Sequence, residues 1–188
     1  GKTSLLRVFT PQALAALRDL RKLSDYSTLY SKLRTLGCLE NDSIKLDMGV
    51  ITAKGIVGII ENTSEQFATV QSILNVNSNI NAKLKNTNHF GSLVWNEASY
   101  STVELVDIPK LAPLIIGDTI MTGGMSSIFP ENIPIGTIKK FELDKAQSFW
   151  HIDVALFNDM TNIKNVYVVN NANRPEILNL EEETISND

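Results

Sequence analysis

Apolar and polar residues alternate in short runs from residue 44 onward, and this period of two predicts β-strands. Glycine, asparagine, aspartate and proline separate the runs at intervals of about 8 to 12 residues, a spacing typical of small barrels and sandwiches. The pattern predicts ten strands, at residues 49–52, 55–61, 68–73, 80–84, 89–95, 102–106, 119–121, 136–141, 149–156 and 165–169. We therefore expect a mainly β chain.

The residues before Gly37 follow a helical pattern instead. Thr10 is a plausible N-cap with Pro11 at the first helical position, and Gly37 would end the helix. Leucines recur at positions 14, 17, 20, 23, 29, 33 and 36. A three-residue step drifts around a helix, and the polar run at 24–27 is expected to interrupt it, so a helical hairpin and a loosely dimerising helix are both open. We predict a helical leader over residues 1–36, either coiled-coil-like or foreign to the natural chain.

A stretch rich in glycine and proline separates the predicted strands at 119–121 and 136–141. Glycines here can take positive φ without steric cost, and each proline fixes φ near about −65° and removes an amide donor. The chain is therefore expected to turn a sharp corner and re-enter a sheet. We interpret nine residues as structural: Gly55, Gly58, Gly117, Asp118, Gly124, Phe129, Pro130, Pro134 and Gly136.

A weak internal repeat predicts which strands belong to the same barrel. Residues 55–60 followed by 67–70 match the pattern of residues 133–138 followed by 149–152. In each case a glycine-containing apolar strand leads to a strand that begins with an aromatic residue. We expect both pairs of strands to belong to one barrel, with the intervening segment closing into a second barrel, because closure leaves short strands without open edges.

This grouping predicts two small six-stranded barrels in a chymotrypsin-like barrel architecture, preceded by the helical leader. The first barrel is predicted at 37–70 plus 130–172, and the second, inserted barrel at 71–129. Residues 173–188 are rich in glutamate and are predicted to form a flexible acidic tail, either disordered or a frayed helix.

Charge is distributed unevenly along the chain. Seven lysines and arginines but only two aspartates precede Gly37, whereas the whole chain has a net charge of −4. A basic leader could approach phosphates or lipid head groups, but scattered cations more often mark a solvated helix face. Aromatic residues make up only 7%, too few for a stacking platform on single-stranded nucleic acid. Nucleic acid is therefore not an expected partner.

Neither a metal nor a cofactor is expected from the residue pattern. Cys38 is the single cysteine, so an intrachain disulfide and a cysteine-based metal site are both excluded. His89 and His151 stand in no spacing typical of metal ligands, and both are expected in strands. No run reaches the roughly 18 apolar residues of a membrane helix, so the chain as given is expected to be soluble.

Hydrolase chemistry is the alternative that the order of residues leaves open, because double barrels also carry chymotrypsin-like serine proteases. His89, then Asp107 or Asp118, then Ser126 or Ser127 follow the chain order of such a triad. The glycines precede the serine, however, and no aspartate adjoins it, unlike the turn that aims backbone amides at an oxyanion. We interpret the serines as corner residues and predict no catalytic residue.

The corner at 117–138 reads G-D-x-I-x-T-x-G-x-x-x-x-F-P-x-x-I-P-I-G-x-I, and this pattern resembles the MreC family of rod shape-determining proteins. Residues 42–51 resemble the family's entry into its first barrel, and residues 55–60 its G-[IV]-V-G strand. Residues 71–95 resemble the family's central part, and the resemblance extends over about 41–169.

The resemblance implies a non-catalytic scaffold of the bacterial cell-elongation machinery. The partners it implies are the filament protein MreB, the membrane protein MreD, the glycosyltransferase RodA and the elongation-specific penicillin-binding transpeptidase, together with a homodimer or higher self-association. It places the protein on the periplasmic side of the inner membrane, held by an anchor absent from this chain. The first forty residues depart from the family pattern, because family members have a membrane helix and a coiled coil there.

Overall fold

The structure, a computed structural model, describes residues 4–7, 33–34, 44–64, 67–145, 148–171 and 173–186. The described residues contain twelve strands and one helix: β1 (Ser4–Arg7), β2 (Leu33–Arg34), β3 (Gly49–Ile51), β4 (Ile56–Thr63), β5 (Phe67–Ser72), β6 (Ile80–Leu84), β7 (Phe90–Val94), β8 (Thr102–Pro109), β9 (Thr119–Thr122), β10 (Pro134–Leu143), β11 (Phe149–Leu156), β12 (Asn165–Val169) and α1 (Arg174–Ser186). The prediction of a mainly β chain is confirmed, and a strand lies at each of the ten predicted positions.

The twelve strands form two closed, antiparallel six-stranded sheets. The first has the order β1-β12-β3-β4-β5-β2, closed by the pairing of β1 with β2. The second has the order β10-β11-β8-β7-β6-β9, closed by the pairing of β9 with β10. Closure pairs the backbone groups that an edge strand would expose.

The second barrel is inserted into the first along the sequence, because β6 to β11 all lie between β5 and β12. The predicted boundary between them is wrong, however. β10 and β11 were expected in the first barrel, but β10 pairs with β9 and β11 pairs with β8. The weak internal repeat reflects two locally similar strand pairs, whereas the barrel to which a strand belongs depends on partners distant in sequence.

Two strands from the predicted leader complete the first barrel in their place. β1 pairs with β12, and β2 pairs Leu33 with Ala68 and Arg34 with Phe67 of β5. The helical prediction is therefore wrong for the residues of β1 and β2, since closing the barrel outweighs the helical spacing of the leucines. The predicted N-cap at Thr10, the remaining leucines and Cys38 lie outside the described residues.

Each barrel is filled by the inward-facing residues of its strands. Along β8 the buried residues are Val103, Leu105 and Ile108, and their neighbours face outward. Along β11, Ile152 and Val154 are fully buried in the same alternating way. This alternation is the physical basis of the period of two in the sequence.

The acidic C-terminal segment forms a 13-residue helix, α1. Of the two forms predicted for the acidic tail, disordered or frayed helix, the helical one is observed at Arg174–Ser186. Pro175 lies in the first turn, where its missing amide hydrogen has no partner within the helix in any case, and Glu176 is favourably placed near the positive end of the helix dipole. Arg174 anchors this turn through its guanidinium, which donates to the Asp47 carboxylate at 3.0 Å and to the Asp47 carbonyl at 3.1 Å.

Candidate interaction surfaces and the joint between the barrels

The corner between β9 and β10 is held by side-chain hydrogen bonds from the end of β9. The Thr122 hydroxyl is fully buried and donates to the carbonyl of Pro130 at 2.6 Å. The same oxygen accepts the amide of Ile133 at 2.9 Å. Thr122 therefore fixes both the middle and the end of the corner.

Strand β6 holds the opposite side of the corner. The Asn81 side-chain oxygen accepts the amide of Met125 at 3.2 Å, and its backbone carbonyl accepts the amide of Gly123 at 3.0 Å. Lys83 has a buried side chain whose ammonium forms an ion pair with Glu131. A buried ammonium is costly unless it is paired, so this contact ties Glu131 to the barrel wall.

The corner also reaches across to the first barrel, and we call these contacts the joint. The Phe129 ring is 2% exposed and lies against Gly49 of β3 so closely that any side chain on Gly49 would overlap it. Asn171, just after β12, donates through its side chain to the Ser126 carbonyl at 3.2 Å. The corner is therefore a structural link between the two barrels.

Asn158 completes the joint from the connection between β11 and β12. Its side-chain amide donates to the carbonyls of Gly55 and Ile56 at 3.0 and 2.8 Å, and its oxygen accepts the Thr52 hydroxyl at 2.6 Å. The preceding residue, Phe157, donates its amide to the Ile135 carbonyl at 3.0 Å. Asn158 thus bonds to the first barrel and Phe157 to the second, so this connection holds the two barrels together.

An open cleft of about 400 Å³ lies beside the joint. It is lined in part by Lys54, Tyr100, Phe157 and Asp159, with both aromatic rings partly exposed. Apolar rings between opposite charges can hold an apolar side chain of a peptide partner. The cleft is therefore a candidate contact surface.

The predicted structural residues fall into three groups. Gly55, Phe129 and Pro134 lie at the joint, and a Cβ on Gly55 would overlap the Pro134 carbonyl oxygen. The close-approach glycines Gly58 and Gly136 lie in strands, where a Cβ would overlap a carbonyl oxygen of the paired strand.

The third group occupies turns, with Pro130 accepting from Thr122 inside the corner. Gly117 and Gly124 have φ of 93° and 80°, a region that favours glycine. Asp118 follows Gly117, and its side chain accepts a hydrogen bond from Asn86 at 3.1 Å.

Hydrogen bonds in the described residues do not connect the alternative hydrolase triad. The His89 ring contacts the Thr87 hydroxyl at 2.9 Å, Asp118 pairs with Asn86, and the Ser126 hydroxyl accepts the Ile128 amide at 3.1 Å. Asp107 lies on β8 with a positive φ of 66°. Ser126 and Ser127 both lie in the corner.

The end of the second barrel opposite the joint carries exposed apolar side chains. β9 runs toward the joint and β10 runs away from it, so the loop before β9 and the end of β10 lie at the far end. We call the exposed residues there the distal surface: Leu111, Ile115, Ile116, Leu143 and Phe149.

Backbone hydrogen bonds hold the distal surface together. The Lys110 amide donates to the Ser148 carbonyl, Gly117 donates to Ile138, and Asp118 donates to Ile115. Leu111 is 86% exposed even though its loop is held in place in this way. Several exposed apolar side chains at one end of a barrel are typical of a contact surface.

Two exposed sites show perturbed titration. Hydrogen bonds from the Thr161 hydroxyl and amide, at 2.5 and 3.0 Å, lower the pKa of Asp159. On β10, the hydrogen bond between Lys140 and Glu142 raises the pKa of the lysine and lowers the pKa of the glutamate. Exposed pairs of this kind contribute little to stability.

Within the described residues, no helix is both long and apolar enough to cross a membrane. The described part of the chain also holds no group of three or more histidine, cysteine, aspartate or glutamate side chains placed to bind a metal ion.

Several residues of the corner and the joint escaped sequence reasoning. Thr122, Asn81, Lys83 and Asn158 are single polar residues within or beside apolar runs, and a single residue makes no periodic pattern. Lys83 alternates with the core residues Ala82 and Leu84, so its position in the strand predicts an outward, solvated side chain. Its burial depends on the corner, which supplies Glu131.

The model of the family "Rod shape-determining protein MreC, barrel core" matches residues 26–170. The chain belongs to the MreC family. MreC of Listeria monocytogenes is 32% identical over 108 residues, which cover 56% of this chain and 37% of that protein. The matched residues therefore span well under half the length of that curated MreC.

Solved MreC structures share the fold. An MreC structure from Listeria monocytogenes has a TM-score of 0.73 at 24% identity and covers 89% of this chain and 74% of that one. MreC from Pseudomonas aeruginosa has a TM-score of 0.73 at 18% identity, covering 90% and 99%. A chain in the complex between penicillin-binding protein PBP2 and MreC from Helicobacter pylori has a TM-score of 0.59 at 16% identity, covering 90% and 100%.

Proposed function

We propose that this chain is a non-catalytic scaffold of the bacterial cell-elongation machinery that binds a penicillin-binding protein. The observation that carries the proposal is the match of the MreC barrel core to residues 26–170. Support comes from the complex of a penicillin-binding protein with MreC of Helicobacter pylori. Two linked barrels with exposed apolar side chains suit a scaffold, because such side chains can contact partner proteins.

The finer proposals follow from the family. MreB, MreD and RodA are further proposed partners, and the protein acts on the periplasmic side of the inner membrane, held by a membrane anchor. Each closed sheet is proposed to be a domain, and the two are proposed to follow the chymotrypsin-like arrangement of barrels without its chemistry.

Binding to the ectodomain of the elongation-specific penicillin-binding protein from the same organism tests the scaffold function. We expect the two purified proteins to elute together in size-exclusion chromatography, and a division-specific penicillin-binding protein ectodomain to elute separately as the control. Separate elution of the elongation-specific protein at high concentrations of both would contradict the proposal.

A fluorophosphonate probe tests the absence of catalysis. We expect the chain to remain unlabelled, because the Ser126 hydroxyl accepts a backbone amide inside the corner instead of contacting a base. Covalent labelling of Ser126 or Ser127 in the folded chain would overturn the scaffold proposal in favour of a serine hydrolase.

A further inference from the structure

Strand β10 extends past one of its two neighbours at the distal end. Its pairing with β9 ends near Ile138, whose amide and carbonyl bond to Asp118 and Gly117 at 2.9 and 2.8 Å. The segment before Gly117 folds into a turn and makes no further backbone hydrogen bond to β10 within the described residues. β10 itself continues to Leu143. Residues 139–143 therefore have a described strand on one side only, β11.

The register with β11 determines which backbone groups of this extension are free. The register continues without a shift from Phe141 to Leu143, and the next residue, Asp144, donates its amide to the Phe149 carbonyl at 2.9 Å. In an antiparallel ladder, pairs that are hydrogen-bonded alternate with pairs that are not. Glu142 therefore bonds to β11, whereas the amides and carbonyls of Phe141 and Leu143 point to the open side. We call these four backbone groups the free edge.

The side chains of the free edge favour an apolar partner. Phe141 and Leu143 lie on the same face of β10, because side chains alternate along a strand. Phe141 packs edge-on against Trp150 with ring centroids 5.2 Å apart, and Leu143 is 39% exposed. Ile116 is 68% exposed and precedes Gly117, which bonds to β10 where the free edge begins. A strand added here would place every second side chain on this apolar face.

Lysines at both ends of the free edge restrict the partner further. Lys139 lies at the bulge where β10 leaves β9, and Lys145 lies in the turn after β10. Both are exposed, and neither forms an ion pair with another described residue, whereas Lys140 is paired with Glu142. Lysines and bulges at an edge discourage pairing with unsuitable strands. A suitable strand must therefore supply carboxylates near its ends.

We propose that the free edge binds an extended segment of a partner protein, which adds a strand to the second barrel. The segment has aliphatic residues at alternate positions and acidic residues near its ends. Main-chain hydrogen bonds to Phe141 and Leu143 provide affinity, and the apolar face with its flanking lysines provides selectivity. The inference describes a mode of binding and does not rest on the proposed binding of a penicillin-binding protein.

Amide hydrogen exchange, followed by NMR on the whole chain, tests whether the edge is free. The amides of Phe141 and Leu143 should exchange at least about ten times faster than that of Glu142, which donates to β11. Protection of the Phe141 and Leu143 amides in the chain alone would overturn the proposal. The edge would then already be covered, either by another part of the same chain or by a second copy.

A short peptide with blocked ends tests the binding itself, with valine at alternate positions, threonine between them and a glutamate near each end. We expect it to protect the Phe141 and Leu143 amides with a dissociation constant below about 1 mM. A peptide with lysines in place of the glutamates should bind at least about tenfold more weakly. Absence of binding by the glutamate peptide at about 5 mM would overturn the proposal.

N-methylated peptides test the part played by the main chain. Methylation of every second amide removes the donors from one side of the peptide strand only. One of the two alternately methylated forms should therefore lose binding and the other should retain it, because an edge bonds to one side of an added strand. Equal binding by both forms would overturn the proposal.

Leu143→Pro is the matching change in the protein. Proline removes the Leu143 amide hydrogen, which takes no part in the ladder with β11, so the melting temperature should change little. The dissociation constant of the glutamate peptide should rise about tenfold relative to Leu143→Ala, the effect of one lost hydrogen bond. Leu143→Ala is the matched control, because it shortens the side chain but keeps the amide. Equal binding by the two variants would overturn the proposal, since the contact would then involve side chains alone.

Discussion

The joint and the distal surface lie at opposite ends of the second barrel and are built in opposite ways. At the joint, Phe129 is 2% exposed, and the side chain of Asn158 has both donor and acceptor satisfied, as has that of Thr122 in the adjoining corner. At the distal surface, Leu111 is 86% exposed and contributes nothing to the core. Side chains therefore stabilise the fold at one end and remain available for contacts at the other.

This difference separates two kinds of mutational effect. Changes at the joint should lower the free energy of unfolding, because they remove buried contacts or leave polar groups without partners. Changes at the distal surface should leave that free energy within about 0.5 kcal/mol and alter association instead.

The largest expected effect is that of Gly136→Val, because the added Cβ would overlap the Ala155 carbonyl oxygen of the paired strand. Relieving that overlap requires β10 to separate from β11, and we expect a loss of about 4 kcal/mol. Gly58→Val should cause a similar loss of unfolding free energy in the first barrel, since its Cβ would overlap the Gln71 carbonyl oxygen. Chemical denaturation measures both changes.

Gly117→Ala is the matched control at the distal end. Its Cβ would meet no atom within 4 Å, so the cost is confined to the backbone conformation at a φ of 93°. We expect a loss of about 1 kcal/mol. A Gly136→Val chain that unfolds at the same denaturant concentration as the unaltered chain would contradict the role assigned to close strand packing.

Phe129→Ala should have the next largest effect, a loss of about 3 kcal/mol, because it empties the space against Gly49 where the barrels meet. The two barrels should also become less coupled. Calorimetry is therefore expected to show a broader transition, or two transitions, in place of one. Leu111→Ala removes an apolar side chain of the distal surface and should leave the calorimetric profile unchanged.

Asn158→Ala should lower the free energy of unfolding by about 2 kcal/mol, because it removes the side-chain amide that donates to the carbonyls of Gly55 and Ile56. The matched control is Asn96→Ala, since the Asn96 side chain is also hydrogen-bonded, to Glu104, but is exposed. The control should change the free energy of unfolding by less than about 0.5 kcal/mol. Equal losses in urea denaturation would show that the Asn158 contacts do not stabilise the joint.

The sequence predicted strands well and their partners poorly. The predicted bounds of β6 and β11 match the observed ones, because alternating burial produces a pattern that consecutive residues show by themselves. β2 was missed because it has two residues and depends on pairing with β5. The assignment of β10 to the first barrel failed for a related reason, since a local pattern does not specify which distant strand completes a sheet.

The candidate surfaces show the same limit. The glycines and prolines of the corner predicted Phe129 as a structural residue, but its contact with Gly49 depends on how the barrels meet. The distal surface could not be recognised, because Leu111, Ile115 and Ile116 look like core residues in a sequence and only the fold shows them to be exposed.

The smallest expected effect concerns Asp159, beside the cleft and next to Asn158. Hydrogen bonds from Thr161 lower the pKa of this carboxyl in the folded chain. A carboxyl with a lowered pKa in the folded state contributes stability above its unfolded pKa, and that contribution is lost as pH falls through its folded pKa. Because Asp159 is exposed, we expect Asp159→Asn to cost no more than about 0.5 kcal/mol at neutral pH.

The pH dependence identifies the cause of this small effect. The difference in unfolding free energy between the unaltered chain and Asp159→Asn should be constant near neutral pH and shrink as pH is lowered from about 7 to about 3. Thr161→Val removes the hydroxyl, the larger of the two causes, and should reduce the pH-dependent difference when combined with Asp159→Asn. A difference that grows as pH falls would contradict the stabilising role assigned to the Asp159 carboxylate.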